Sequence, residues 1–376
     1  MLSPMRYRTF IVPAVLASAL VLMAAAEQQP TPTPTPALRP VSSARVEAVL
    51  QGMTLEDKVG QVLMSYPPLD KTGPVRVGGV VMVGNLLKDA DKAKAKIEDL
   101  QARASVPLLI AADVEGGKLN KLGFLPGLEE VPSALALGRG GHGEAQAWGL
   151  AVGQGMGTLG INMSLAPVLD LAGSGLMYDS QRSFGDDPER VASMASAYAQ
   201  GLAQAGVLSV GKHFPGYGDL AKNTDYHLLV RDVSRTDLEG EMDVFRQAGA
   251  AIDAVMVGNV GYQAYGGKPA IICPELVGLA HDQGWATITD DLAIGTLAQA
   301  TGDDPAELFL EAFRAGNDIM LTTAPPDWDK GIDYLGILEA ELRADPSLVP
   351  GLDERVRRVL SMKDRLGLLP DVEPQP

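Results

Sequence analysis

Cysteine is nearly absent from this chain: Cys273 is the only one in 376 residues. That excludes an intrachain disulfide and any thiolate metal cluster, so the fold must rest on its own apolar core. Positive charge is also short. Lys and Arg total 31 against 47 Asp and Glu, a formal net charge of −16. An acidic chain of this kind repels phosphate backbones and anionic lipid, which argues against nucleic acid as a partner. Histidine occurs only four times, so two of them falling close together is informative.

Hydrophobic residues make up 46% of the chain, enough for a sizeable core. They are not evenly spread. Arg6 and Arg8 precede an apolar run from Phe10 to Met23, and Ala24-Ala25-Ala26 supplies the small residues a signal peptidase accepts. Residues 1–26 are read as a signal peptide, with retention as an uncleaved anchor the alternative. Cleavage implies an exported protein, periplasmic, cell-envelope or extracellular, with no stable membrane insertion. Residues 27–40 centre on PTPTPTP, a stiff, solvated, extended linker. The folded domain is expected over 41–369, with a loose tail at 370–376.

Within that domain short apolar runs alternate with helical patterns. Strands are expected at Gly78–Val83, Pro107–Ala112, Asn162–Leu169, Val207–Gly211, Ala254–Val257, Thr287–Thr289 and Asp318–Leu321. Helices are expected at Thr54–Met64, Ala90–Ala104, Gly143–Gly157, Pro188–Ala205, Arg235–Gly249, Pro274–Gly284, Pro305–Ala315 and Leu352–Arg365. Such alternation implies a parallel sheet wrapped by helices, either doubly wound or a barrel. Polar residues decide between them. Asp113, Asp170, Lys212, Asn259 and Asp290 each follow an apolar strand. In a (β/α)8 TIM-type barrel these strand ends converge on one rim, whereas a doubly wound sheet gathers them only near its switch point.

The densest polar segment is KHFPGYGDLAKNTDYH, Lys212 to His227, which holds two of the four histidines. It is a glycine- and proline-rich loop at a strand end, a common place for chemistry. A solvated loop or a metal site built from His213, Asp219, Asp225 and His227 are the competing readings, and the spacing matches no metal motif. In an extended segment Asp225 and His227 point the same way, so the carboxylate can orient the imidazole for proton transfer. Asp290, at the end of ATITDD, suits a nucleophile, and helix capping by Asp290 and Asp291 is the alternative. Asp113 and Glu115, ahead of Gly116-Gly117, suit a clamp on paired sugar hydroxyls. Arg182, in RSFG, is a ligand for substrate or a surface ion-pair partner. Trp148, Trp285 and Trp328 are more readily core than sugar-stacking platforms.

These segments, taken in order, resemble glycoside hydrolase family 3, in particular its β-N-acetylglucosaminidase branch. QVLM, GGVVMVGN, LLIAADVEGGKLNKL, RSFGDDPERV, KHFPGYGD, KPAIICPELVG and AFRAGNDIML follow the family's order from about Thr54 to Met362. The resemblance implies a single barrel and a retaining mechanism with no metal or organic cofactor. It implies Asp290 as nucleophile, His227 oriented by Asp225 as acid/base, and Asp113, Arg182, Lys212 and His213 as sugar-binding residues. It implies a carbohydrate substrate containing N-acetylglucosamine, such as a peptidoglycan fragment. The sequence departs from the pattern in three places. Tyr217 replaces the second His of KHFPGHGD, Gly258-Asn259 replaces a His after the AVM strand, and Lys118 and Lys121 replace arginines. Those departures keep open a weakened envelope glycan-binding protein. A β-glucosidase-like relative and a phosphorolytic one are further alternatives.

Overall fold

A computed structural model describes residues 37–67, 73–294, 297, 305–323 and 332–371. The expected signal peptide at residues 1–26, the PTPTPTP tract and Trp328 lie outside the described residues. Eight parallel strands form a nearly closed barrel. They are β1 (Leu63–Ser65), β2 (Gly79–Val81), β3 (Leu109–Ala112), β4 (Met163–Ser164), β5 (Leu208–Phe214), β7 (Ala254–Val257), β9 (Ala286–Thr289) and β10 (Met320–Thr322). The order is β10-β1-β2-β3-β4-β5-β7-β9, and a parallel bridge between Ile288 and Ile319 joins the two ends. The expected (β/α)8 TIM-type barrel is what the chain forms. A separate two-stranded parallel ribbon, β6 (Val230–Arg231) with β8 (Gly261–Tyr262), lies beyond the ends of β5 and β7.

Alternation along the strands sorts the core into two layers. Met64, Leu109, Ala111, Met163, Val210 and Ile288 fill the barrel interior. Their neighbours, such as Leu63, Val80, Ile110 and Val255, pack outward beneath the helices. Val359 and Met362, from the C-terminal helix Val349–Arg365, join the interior cluster with Leu38 and Leu366 and plug the N-terminal end of the barrel. The Arg39 amide donates to Arg365 O at 2.9 Å, and Arg39 Nε donates to Asp364 O at 2.7 Å.

Most expected elements form near their expected bounds. Pro188 opens a helix that runs to Gln204, with Asp187 as its cap. Two expectations need correction. The helix expected over Thr54–Met64 ends at Gln61 and gives way to β1. Thr54 does cap it, in a reciprocal box with Asp57, but Leu63–Ser65 pairs with both β2 and β10. A short apolar run buried on all sides has no period to separate helix from strand. Within Asn162–Leu169 the continuous strand is only Met163–Ser164, and Val168 makes a separate parallel bridge to Lys212 beyond Pro167, which has no N–H to donate.

Candidate active site

The C-terminal ends of the strands open into a cavity of about 430 Å³. Its floor is the top interior layer, Val81, Leu165, Met256 and Leu321. Its walls carry Asp113, Glu115, Arg182, Lys212, His213, Asp225 and Asp290. Six of the seven residues expected at the site therefore line one cavity.

One wall is an interlocked set of charges. β3 ends at Ala112, which puts Asp113 and Glu115 on the rim. Gly116 then reverses the chain at φ +79°, where a Cβ would lie 2.1 Å from Pro132 O. Arg182 grips Glu115 with both arms, Nε to Oε2 at 2.7 Å and Nη2 to Oε1 at 2.9 Å. The Lys212 ammonium lies 2.6 Å from Glu115 Oε1 and 2.6 Å from Asp113 Oδ1. Burial by itself raises the Glu115 pKa, but Lys212 and Arg182 reverse that and hold the carboxyl well below its usual range. Burial likewise works against the Lys212 ammonium, and Asp113 and Glu115 override it, so its pKa is raised.

The next wall is a carboxylate–imidazole pair. Asp170 is fully buried and accepts from His213 N at 3.1 Å and Tyr217 N at 2.8 Å. His213 Nδ1 is 2.7 Å from Asp170 Oδ2. A proton on Nδ1 for that bond leaves Nε2 as the free ring nitrogen. Asp170 was read from the sequence only as a strand-end acid. Its role as the partner of His213 had no local signal, since 43 positions separate them.

Asp290 follows β9. Its amide donates to Val257 O at 2.8 Å, and its Oδ1 accepts the Asp291 amide at 2.8 Å. Burial pushes its carboxyl above the ordinary aspartate value, the charges of Asp225 and Asp291 add to that, and His213 and the Asp291 amide oppose it. Among the described residues no lysine or arginine forms an ion pair with it, so one oxygen faces the cavity unneutralised. Asp291 does not share this position. Its carboxylate accepts from Ala293 N, Thr323 N and Thr323 Oγ1, at 2.9, 2.9 and 2.6 Å, and fixes the turn behind Asp290. Asn259 lies against the same turn, with Nδ2 3.4 Å from Asp291 O.

The seventh residue stands apart. His227 is exposed and does not line the cavity. Asp225 is in the cavity wall, but its carboxylate accepts from Asn223 Nδ2 at 3.0 Å and makes no bond to His227. Asp219, another acid of the loop, accepts the Gly173 and Ser174 amides, each at 3.0 Å, and so anchors the loop. Among the described residues no group of three or more His, Cys, Asp or Glu is arranged to hold a metal ion. Lys121 lines the mouth, while Lys118 is exposed. Trp285 is buried and donates to Gly249 O at 3.3 Å.

A parallel barrel with acids and cations gathered at the C-terminal rim places its polar residues where barrel enzymes carry their active sites. A family model for the glycosyl hydrolase family 3 N terminal domain matches residues 54–362, and the chain belongs to that family. A beta-hexosaminidase of Photobacterium profundum is 35% identical over 199 residues, 52% of this chain and 58% of that protein. One from Neisseria gonorrhoeae is 31% identical over 312 residues, 77% of this chain and 80% of that protein. Among solved structures, a beta-N-acetylhexosaminidase from Beutenbergia cavernae has a TM-score of 0.74 at 30% identity, covering 83% of this chain and 99% of that one. A family 3 beta-N-acetylglucosaminidase from Paenibacillus has a TM-score of 0.76 at 29% identity, covering 86% and 65%.

Proposed function

We propose that the chain is a glycoside hydrolase of the beta-hexosaminidase type that removes β-linked N-acetylglucosamine by a retaining mechanism, with peptidoglycan fragments as its substrate class. The observation that carries the reading is Asp290, an acid with no lysine or arginine ion pair among the described residues, facing the same cavity as Asp113, Arg182, Lys212 and His213. Relatives named beta-hexosaminidase support the sugar.

In the first step Asp290 attacks the anomeric carbon, and the glycosidic C–O bond breaks as His227 gives its proton to the leaving oxygen. In the second, His227 takes a proton from water, which attacks the same carbon and frees Asp290. Asp113 and the His213 Nε2 side of the ring supply hydrogen bonds to sugar hydroxyls. Glu115 is unsuited to be the acid, because Lys212 and Arg182 keep it ionised. His227 reaches the sugar only when Asp225 to Leu228 folds over the cavity mouth, so binding assembles the acid/base.

The test compares aryl β-N-acetylglucosaminides with aryl β-glucosides, then varies the leaving group. His227→Ala should retain most of its first step on a nitrophenolate and lose about a hundredfold or more on a sugar leaving group. Azide should restore turnover and give a β-glycosyl azide. Equal loss on both substrates with no azide effect would remove His227 from the role. Phosphate added to the wild-type protein reads out phosphorolysis, by release of a glycosyl phosphate. Export is proposed as well, and sequencing the N-terminus of native protein checks it: a start near Glu27 supports cleavage, and retention of residues 1–26 refutes it.

A further inference from the structure

We propose that Tyr217 is a positioning residue that fixes the stationary end of the loop carrying Asp225 and His227. The proposal rests on the reading of His227 as acid/base.

Tyr217 is buried, 2% exposed, and touches both halves of the site. Its amide donates to Asp170, the carboxylate that holds His213. Its ring lies 5.8 Å from the His213 ring, centroid to centroid. Its hydroxyl donates to Lys222 O at 2.7 Å and accepts the Thr224 amide at 3.0 Å. The phenol thus spans the base of the loop and leaves Thr224 clamped immediately before Asp225.

The surrounding pins define what is left free. Gly216 O accepts from Tyr262 OH at 2.6 Å and Arg231 Nη1 at 3.0 Å, and Asp219 is tied to Gly173 and Ser174. On the far side the Gly261 amide donates to Leu229 O at 2.9 Å, and Val230 pairs with Gly261 in the β6–β8 ribbon. Between Thr224 and Leu229 lie only Asp225, Tyr226, His227 and Leu228, all exposed, with Tyr226 at 74%. A span this short swings about its ends and cannot slide. The Tyr217 hydroxyl helps to set the point from which it swings, and an imidazole at position 217 is too short to supply those bonds in the same way.

Tyr217→Phe keeps the buried ring and deletes both loop bonds. For the full chain, kcat/KM should be measured over aryl β-N-acetylglucosaminides of increasing leaving-group pKa, with wild type and His227→Ala alongside and thermal midpoints recorded. The expected result is a loss of about tenfold on the poorest leaving groups and less than about threefold on the best, with KM little changed. In wild type, amide hydrogen exchange should show Thr224 protected and His227 fast, with the Thr224 protection reduced in Tyr217→Phe. A uniform loss across leaving groups, or an unprotected Thr224 amide in wild type, overturns the role of Tyr217 while a sloped His227→Ala series leaves the acid/base reading standing. A flat His227→Ala series refutes that reading, and the Tyr217 proposal with it.

Discussion

Two lysines are buried at opposite ends of the barrel, and their ammonium groups respond in opposite ways. Lys212, at the open C-terminal end, has Asp113 and Glu115 each 2.6 Å away, and its pKa is raised. Lys363, in the helix that plugs the N-terminal end, has Gln61 Oε1 at 2.5 Å as its hydrogen-bond acceptor and, among the described residues, no carboxylate in an ion pair with it. Burial lowers its pKa to about 7. The barrel therefore tolerates a buried charge where two acids answer it, and strains to carry one where only an amide does. The end that holds matched charge is the end with the cavity. The other end is filled by Val359, Met362 and Leu366, and its lone ammonium serves no evident chemistry.

The largest effect expected from breaking this contrast is on activity at the open end. Asp290→Asn removes the charge of the proposed nucleophile with little change of shape. It should cut kcat by at least about a thousandfold, about 4 kcal/mol of barrier, and leave the thermal midpoint nearly unchanged. A loss within tenfold would refute the assignment. Because burial raises the Asp290 pKa and the nucleophile must be ionised, the acid limb of kcat/KM should fall above pH 3.8. A limb at or below the ordinary aspartate value would contradict the site's electrostatics.

Stability at the open end comes next. Glu115→Ala leaves Arg182 and Lys212 facing each other in a buried wall, at a cost of about 3–5 kcal/mol by urea titration. The sign with pH follows from the lowered Glu115 pKa. Its contribution is fully present above about pH 4.5 and is lost as pH falls toward its folded value, so the variant's deficit should shrink in acid. A deficit independent of pH would mean lost packing in place of lost charge.

The smallest effect belongs to the closed end and has the opposite sign. Lys363→Met with Gln61→Leu removes both partners at once and leaves no orphaned amide. With a pKa near 7 folded and near 10.5 unfolded, the native state binds fewer protons over that interval. Wild-type stability should rise as pH climbs through it. The double variant should be more stable by on the order of 2 kcal/mol at pH 6, below the ceiling of about 5 kcal/mol that a drop from 10.5 to about 7 sets, with the gap closing toward pH 10. Equal stability of the two proteins at pH 6 would show that Lys363 is accommodated without strain.

Much of the rim was legible in the chain because barrel chemistry sits where strands end. An apolar run followed by Asp113, Lys212 or Asp290 announces its own position. β1 was not legible, since Leu63–Ser65 lacks a period and takes its strand form from β2 and β10, which flank it in space. Glu115 was visible as an acid near Gly116, but its part as the common anion of Arg182 and Lys212 depends on residues 67 and 97 positions away. Asp170 was likewise a strand-end acid until its contact with His213 was seen. The Asp225-Tyr226-His227 spacing gave the alignment expected of an extended segment, whereas the loop as it stands turns Asp225 toward Asn223.

The sequence by itself determined the parallel barrel, the rim on which its acids and cations fall, and Asp290 as the acid ending the seventh strand of the barrel. Each is a local matter of period, apolar run and strand end. Only the tertiary structure decided which charges neutralise which. Asp113, Glu115, Arg182 and Lys212 share one network, Asp170 holds His213, Asp290 forms no ion pair with a lysine or arginine among the described residues, and His227 stands outside the cavity. Ionisation state depends on burial and on the distance to the nearest opposite charge, and closing the barrel sets both by bringing together strands far apart in the chain.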